Sequence, residues 1–232
     1  MFVVGFPTGI FSANCYLVAT GPGEPCLIVD PGQDAVAGIA DALREHRLTP
    51  AAVALTHGHL DHMWSVLPVC ADHGVPAYVH PGDRALLADP LAALPADWVG
   101  ALGVAGVRFR EPDDVREVLD AAWLEIAGVD LRVRHAPGHT PGSVVFETPG
   151  GGDDPPTMFS GDLLFAGSVG RTDLAGGDAQ AMRASLARVT LAASDETVVL
   201  PGHGPRTTIG RERSTNPYLR ELPRQPVREG AS

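Results

Sequence analysis

Residues Thr56-His57-Gly58-His59-Leu60-Asp61-His62 place three imidazoles and a carboxylate on one short stretch of chain. They follow the apolar run from Ala51 to Leu55, which predicts a buried strand. A strand running into a glycine-containing turn delivers polar side chains to the carboxyl edge of a sheet, where open α/β sheets hold ligands. In extended or turn backbone, residues two apart share a direction, so His57 and His59 point one way. Asp61 and His62 are left for a second point nearby. The arrangement is two-centred, unlike a helix that spaces its histidines four apart on one face. Imidazole and carboxylate suit zinc and similar ions, and histidines this dense are poorly explained by packing.

The flanking sequence reads as strands and helices in turn. Residues 1–6, 14–19 and 25–29 are strand-like, the last two joined by Thr20-Gly21-Pro22-Gly23. Residues 34–47 have helical periodicity, with Val36, Ile39, Ala40 and Leu43 on one face. Residues 62–73 predict a helix ending at Gly74, residues 77–79 a short strand and residues 81–88 a short helix. Across 89–112, Pro90, Pro95, Gly100, Gly103 and Gly106 break any long element. A loop of that size is either a lid or substrate wall, or a surface excursion. Strands follow at 122–126, 129–133, 143–147, 157–160 and 197–200. Helices are expected at 178–191 and within 208–219. Residues 1–221 are expected to form one domain, and 222–232 a loose tail. Strands first, then strand and helix alternating, then the same again, predict an α/β (α+β) fold of two mixed sheets with helices outside.

The opening stretch resembles the His-x-His-x-Asp-His signature of the metallo-β-lactamase-fold hydrolases. Further matches follow in the family's order. Gly138-His139-Thr140-Pro141-Gly142-Ser143 is similar to its second histidine motif, Ser160-Gly161-Asp162 to its bridging aspartate, and Pro201-Gly202-His203-Gly204 to its last histidine. The resemblance implies the family's four-layer αββα sandwich. It implies that His57, His59 and His139 hold one divalent metal, that Asp61, His62 and His203 hold another, and that Asp162 bridges both. Asp61 and Asp162 would then serve catalysis together with a metal-bound hydroxide. The donors suit zinc first, with iron or manganese as alternatives. A shared carboxylate offsets the repulsion of cations roughly 3.5–4 Å apart, and a metal lowers the pKa of water to about 7. Asp30, Thr56, Thr140 and Ser160 are candidates to hold the ligands from behind, because a ligating histidine usually donates its other N–H to a carboxylate or carbonyl. Asp30 precedes Pro31 and is equally readable as a turn-starting residue. His46, His73, His80 and His135 lie outside every motif and are expected to be ordinary surface or core histidines.

Aspartate at 162 matches the glyoxalase II-like branch, since the β-lactamase branch proper typically has cysteine there. The run from Phe165 to Leu174 is similar to the shorter bacterial glyoxalase II-type hydrolases, which lack a C-terminal helical region that contacts glutathione. So are Thr207-Thr208-Ile209-Gly210 and the stretch through Asn216-Pro217-Tyr218. The resemblance implies hydrolysis of an acyl thioester, S-lactoylglutathione or a relative, by a metal-bridging hydroxide. A thiolate leaves readily, an ordinary thiol having a pKa near 8.5, so no strong general acid is needed. Arg171 is a candidate contact for a substrate carboxylate, or a structural arginine bonded to loop carbonyls. Persulfide dioxygenases of the same superfamily share Gly170-Arg171-Thr172-Asp173 and would use His57, His139 and Asp162 for a single iron. They usually have cysteine where this chain has Val169. Another hydrolase of the fold, or a non-catalytic metal-binding domain, are the remaining readings.

Composition narrows the partners. With 232 residues, 44% apolar and 19% charged, the chain is globular in type. Its net charge is -11 and it has no lysine, which argues against phosphate-backbone binding and the family's nuclease branches. Cys15, Cys26 and Cys70 are odd in number, form no Cys-x-x-Cys pair and sit in apolar surroundings. Buried, reduced thiols in a cytoplasmic protein are expected. The first basic residue is Arg44, and Asn14 and Cys15 interrupt the apolar N-terminal stretch, so neither a signal peptide nor a membrane span is expected. The expected partner is a small acyl thioester, with the chain a monomer or small homo-oligomer.

Overall fold

In strand β2 (Ala13–Ala19), Cys15, Leu17 and Ala19 face one way and Tyr16 and Val18 the other, and both sets are buried. A strand covered on both faces needs a packed layer on each side. The computed structural model, which describes residues 1–102, 104, 107–152 and 154–222, supplies those layers. The first sheet has the order β1 (Phe2–Thr8), β2, β3 (Pro25–Val29), β4 (Thr49–Ala54), β5 (Ala77–Val79), β6 (Val115–Glu117). Its first three strands are antiparallel and its last four pair in parallel. The second sheet runs β7 (Trp123–Ile126), β8 (Val129–His135), β9 (Val144–Thr148), β10 (Thr157–Gly161), β11 (Val198–Pro201), β12 (Thr207–Thr208). Only β10 and β11 are parallel there.

Three apolar clusters separate the layers. Helices α1 (Ala35–His46) and α3 (Val66–His73) pack Ile39, Leu43 and Val69 on the outer face of the first sheet, against Leu17, Ile28 and Val53. Between the sheets, Val18, Leu27 and Ala54 meet Leu131, Phe146 and Phe159. On the far side, α5 (Ala179–Thr190) sets Met182, Leu186 and Val189 against Val145, Met158 and Val199. Each buried side chain of this size contributes roughly 1.5–3 kcal/mol. The result is the αββα sandwich.

Several expected elements are divided or displaced, for identifiable reasons. The helix expected over 62–73 is two, α2 (Leu60–Met63) and α3, parted at Ser65. The Ser65 N–H donates to the Pro31 carbonyl (2.9 Å) and its hydroxyl to the Gly32 carbonyl (2.6 Å). Residues 81–88 give only a 3₁₀ turn, Arg84–Leu87. Within 89–112 the chain forms a 3₁₀ turn, Pro90–Ala93, and α4 (Ala96–Ala101), which the proline and glycine spacing concealed. Strand β6 was also not expected. The closing helix splits into α6 (Ile209–Thr215) and α7 (Pro217–Arg220), because proline disfavours the helical region for Asn216, which sits at φ -72°, ψ 119°. Leu222, at the head of the expected tail, is buried in the third cluster. The rest of that tail, and Gly103 and Gly106 of the 89–112 stretch, lie outside the described residues. Among the described residues no helix is long and apolar enough to cross a membrane.

Candidate metal centre

The strand ends bring the motifs to one edge. β4 leads through Leu55 and Thr56 into His57, β10 leads directly into Asp162, and β11 leads through Gly202 into His203. The β10 and β11 ends are neighbours because those strands pair in parallel. β8 carries the chain toward His139. The two sheets are stitched together here. The Asn14 N–H donates to the Gly202 carbonyl (2.7 Å), and the Tyr16 hydroxyl donates to the Pro201 carbonyl (2.7 Å).

Two donor triads result. One atom each from His57, His59 and His139 lie mutually within 4.8 Å, and so do one each from Asp61, His62 and His203. Asp162 lies between them. Its Oδ1 is 3.4 Å from His62 Nε2, while its Oδ2 is 3.3 Å from His139 Nε2 and 3.6 Å from His203 Nε2. Asp30, His57 and His62 also fall within that span, but Asp30 meets His62 through the outward Nδ1, so this grouping is a support and not a third triad.

Outer hydrogen bonds fix which ring nitrogen is free. Asp30 accepts from the Thr56 N–H (2.8 Å) and hydroxyl (2.6 Å). The Thr56 oxygen therefore accepts from His57 Nδ1–H (3.1 Å). Asp30 Oδ2 accepts from His62 Nδ1–H (3.0 Å), Arg171 O from His139 Nδ1–H (2.7 Å), and Phe11 O from His203 Nδ1–H (3.1 Å). In neutral rings this leaves Nε2 of His62 and of His203 as lone pairs, facing each other at 3.2 Å. His57 Nε2 and Asp162 Oδ1 are buried without a partner. A cation among these atoms gives His57 Nε2 and Asp162 Oδ1 the partner that no described protein group supplies. The donor set therefore fits divalent ions, with nitrogen and carboxylate ligands of the kind zinc, iron and manganese accept.

The two triads differ electrostatically. Burial, then the positive character of His62, His139 and His59, holds His57 well below an ordinary imidazole. Burial and then His139 lower His59 to about 3. Burial opposes the charged form of His62, but Asp61, Asp162 and Asp30 around it prevail and raise it. Burial likewise opposes the charged form of Asp61, yet His62 and His203 hold it below the usual carboxylate range.

The supporting residues divide. Asp30 lies behind His62, accepting from its Nδ1–H, and holds φ 50°, a left-handed value, before Pro31. Thr56 braces His57. Among the described residues neither Thr140 nor Ser160 hydrogen-bonds a ligand ring: the Thr140 hydroxyl donates to Asp83 Oδ2 (2.6 Å) and Ser160 to Leu164 O (2.8 Å). Among the described residues Arg171 bonds a carboxylate through its guanidinium, with no bond to a loop carbonyl. Its Nε and Nη2 bond Asp173 at 2.6 and 2.7 Å, and its own carbonyl orients His139.

Sequence reasoning missed Asp83. This fully buried carboxylate accepts from Gly58 N–H (2.8 Å) and Gly142 N–H (2.7 Å) as well as Thr140. It ties the turn between His57 and His59 to the turn after His139. Of the 89–112 stretch, readable from sequence as either wall or surface excursion, the structure places Leu94 and Trp98 on the site. Leu94 and Trp98 line a cavity of about 350 Å³ over the donors, together with Phe11, Phe165, Val169 and Arg171.

An αββα sandwich in which histidines and carboxylates from both sheets converge at one end defines a metal-binding protein of the metallo-hydrolase type. The chain belongs to the metallo-beta-lactamase superfamily, whose profile matches residues 8–203. A Bacillus subtilis protein named probable metallo-hydrolase YqgX is 35% identical over 213 residues, covering 92% of this chain and 95% of its own. The hydroxyacylglutathione hydrolase GloC of Haemophilus influenzae is 30% identical over 213 residues, covering 92% and 95%. A solved B3 metallo-beta-lactamase, BLEG-1, superposes with a TM-score of 0.81 at 36% identity, covering 94% of this chain and 99% of its own. TTHA1623, solved in a di-iron-bound form, gives 0.75 at 38% identity, covering 94% and 100%.

Proposed function

We propose that the chain is a glyoxalase II-type thioester hydrolase, acting on S-lactoylglutathione or a related acyl thioester with two bound divalent ions. One observation carries this reading: the Asp162 carboxylate lies between two complete donor triads, within 3.6 Å of nitrogens from each. His57, His59 and His139 would hold one ion, Asp61, His62 and His203 the other, and Asp162 both. When bound, such ions supply acidified water and Lewis-acid stabilisation of a developing oxyanion. Zinc is the first candidate, and the di-iron-bound relative supports iron as the alternative.

The chain's own residues do the rest. Asp30, Thr56 and the carbonyls of Phe11 and Arg171 hold the imidazole N–H groups outward, so the inner lone pairs stay aimed without reorganisation. The apolar wall over the donors gives a bound substrate a surface from which it displaces water. Arg171, at the cavity rim, is the candidate contact for a carboxylate on the thiol carrier. The Haemophilus relative's name supports thioester chemistry.

The test is direct. Purified protein should carry about two metals per chain and cleave S-lactoylglutathione or another acyl thioester, and Asp162→Ala should remove both the second metal and the activity. One iron per chain, oxygen uptake with a persulfide and no thioester cleavage would establish the dioxygenase reading instead. Cleavage of a β-lactam but of no thioester would transfer the chain to the lactamase reading.

A further inference from the structure

Phe11 and Trp98 come from distant segments, yet their rings lie nearly parallel, 15° apart with centroids separated by 6.5 Å. Both line the cavity over the donors. Helix α4, which carries Trp98, buries none of its own side chains. The indole instead lies beside Phe11 and beneath the Arg171 guanidinium, whose central carbon is 5.3 Å from the ring centroid. Phe165 adds an edge-on ring against His203 (5.9 Å, 89°), and Leu94 lies on the same wall as Trp98.

We infer that this wall selects thioesters whose acyl group is apolar, aromatic above all, with Trp98 as the specificity-determining side chain. The inference rests on the thioester hydrolase reading and narrows its substrate class. Apolar surface buried against such a wall is favourable in proportion to its area, and aromatic pairs gain beyond area. Charge supports the same choice. Arg171 is the only arginine on the cavity wall among the described residues, and its Nε and Nη2 are already on Asp173. A carboxylate on an acyl group packed against Trp98 and Phe11 would give up its water to apolar rings, which is unfavourable. Metabolic thiol carriers bear carboxylates or phosphates. The carrier is thus placed at the rim and the acyl end against Trp98.

The experiment uses the metal-loaded protein and S-acyl derivatives of N-acetylcysteamine, a neutral thiol, so that only the acyl group varies. The phenylacetyl ester should exceed the lactoyl ester in kcat/KM by roughly tenfold or more. Trp98→Ala should shrink that ratio to within about threefold and Trp98→Phe should restore most of it. Trp123→Ala, on the exposed edge strand β7, should leave the ratio as it is. A wild-type ratio near one, or an unchanged ratio in Trp98→Ala, overturns the inference while leaving a thioester hydrolase in place. Failure to cleave any thioester instead overturns the hydrolase reading. The wall is then read by equilibrium binding of unreactive ketone analogues, in which a methylene separates sulfur from carbonyl. Equal affinity for the phenyl and methyl analogues would overturn it.

Discussion

The Gly58 N–H donates to Asp83 Oδ2 at 2.8 Å across a fully buried contact. The same carboxylate receives the Thr140 hydroxyl and the Gly142 N–H, so one side chain closes two turns that each present a donor histidine. Removing it leaves the buried Gly58 and Gly142 N–H groups unpaired, while the Thr140 hydroxyl keeps Ser143 Oγ (2.7 Å). Each unpaired donor costs about 1–3 kcal/mol. Asp83→Ala is therefore expected to lose about 2 kcal/mol or more, read as the shift in urea-unfolding free energy of metal-free protein. A loss under about 1 kcal/mol would show that water replaces the carboxylate and that the clamp is not needed.

The cysteines give a prediction about chemistry the protein should not show. Cys15, Cys26 and Cys70 are all buried and unpaired. Burial pushes Cys26 up to about 12, and burial followed by Asp114 pushes Cys70 up to about 12. Burial, then Asp30, raises Cys15 as well. A thiol in that condition offers almost no thiolate at neutral pH. An aromatic disulfide reagent should titrate no thiol in the native protein and all three after denaturation. Fast reaction of a native thiol would place that cysteine at the surface.

His80 and His135 stack at 4.0 Å with rings 6° from parallel. His80 Nδ1 accepts from Gly82 N–H (3.1 Å), and His135 Nε2–H donates to the Pro141 carbonyl (2.8 Å). Burial first, then His135, lowers the His80 pKa, against the pull of Asp83, Asp120 and Glu117. The folded value lies below the unfolded one, so the unfolded chain binds more protons as pH falls. Stability from this group is full above about pH 6.5 and declines on acidification below it. Metal-free wild type should lose more stability between pH 7.5 and 5.5 than His80→Gln does, by urea midpoint. Equal losses would assign the acid sensitivity to other groups.

What was legible followed from how contiguous each signal is. His57, His59, Asp61 and His62 sit on one short stretch, so strand-to-turn geometry alone separates them into two directions. Asp162 and His203 are single residues in glycine turns, readable only because the flanking residues match a family pattern. Asp83 was not readable, because Pro81-Gly82-Asp83 is an ordinary turn sequence and its partners lie in two distant segments. Trp98 was hidden likewise: Pro95 and Gly100 disguise a short helix whose tryptophan meets Phe11 and Arg171 from other segments. The break at Asn216-Pro217 was readable from the proline, whereas the break at Ser65 depends on the Pro31 and Gly32 carbonyls.

Gly202 offers the sharpest separation between folding and metal binding. A Cβ there would lie 2.2 Å from Asp162 Oδ1 and 2.8 Å from His62 Cε1, far inside contact distance. The backbone at 202 cannot retreat easily, because its carbonyl accepts from Asn14 N–H and its own N–H donates to Gly161 O. The methyl of Gly202→Ala must therefore displace the carboxylate that lies between the two triads. Overpacking of this kind costs about 1–3 kcal/mol, which a domain with three separate apolar clusters tolerates. The variant is expected to keep the wild-type circular dichroism and to bind fewer metal ions, with the loss falling on the triad of Asp61, His62 and His203. Metal content measured on the folded variant decides the point. Wild-type stoichiometry and affinity would mean that Asp162 does not have to occupy the position it holds beside Gly202.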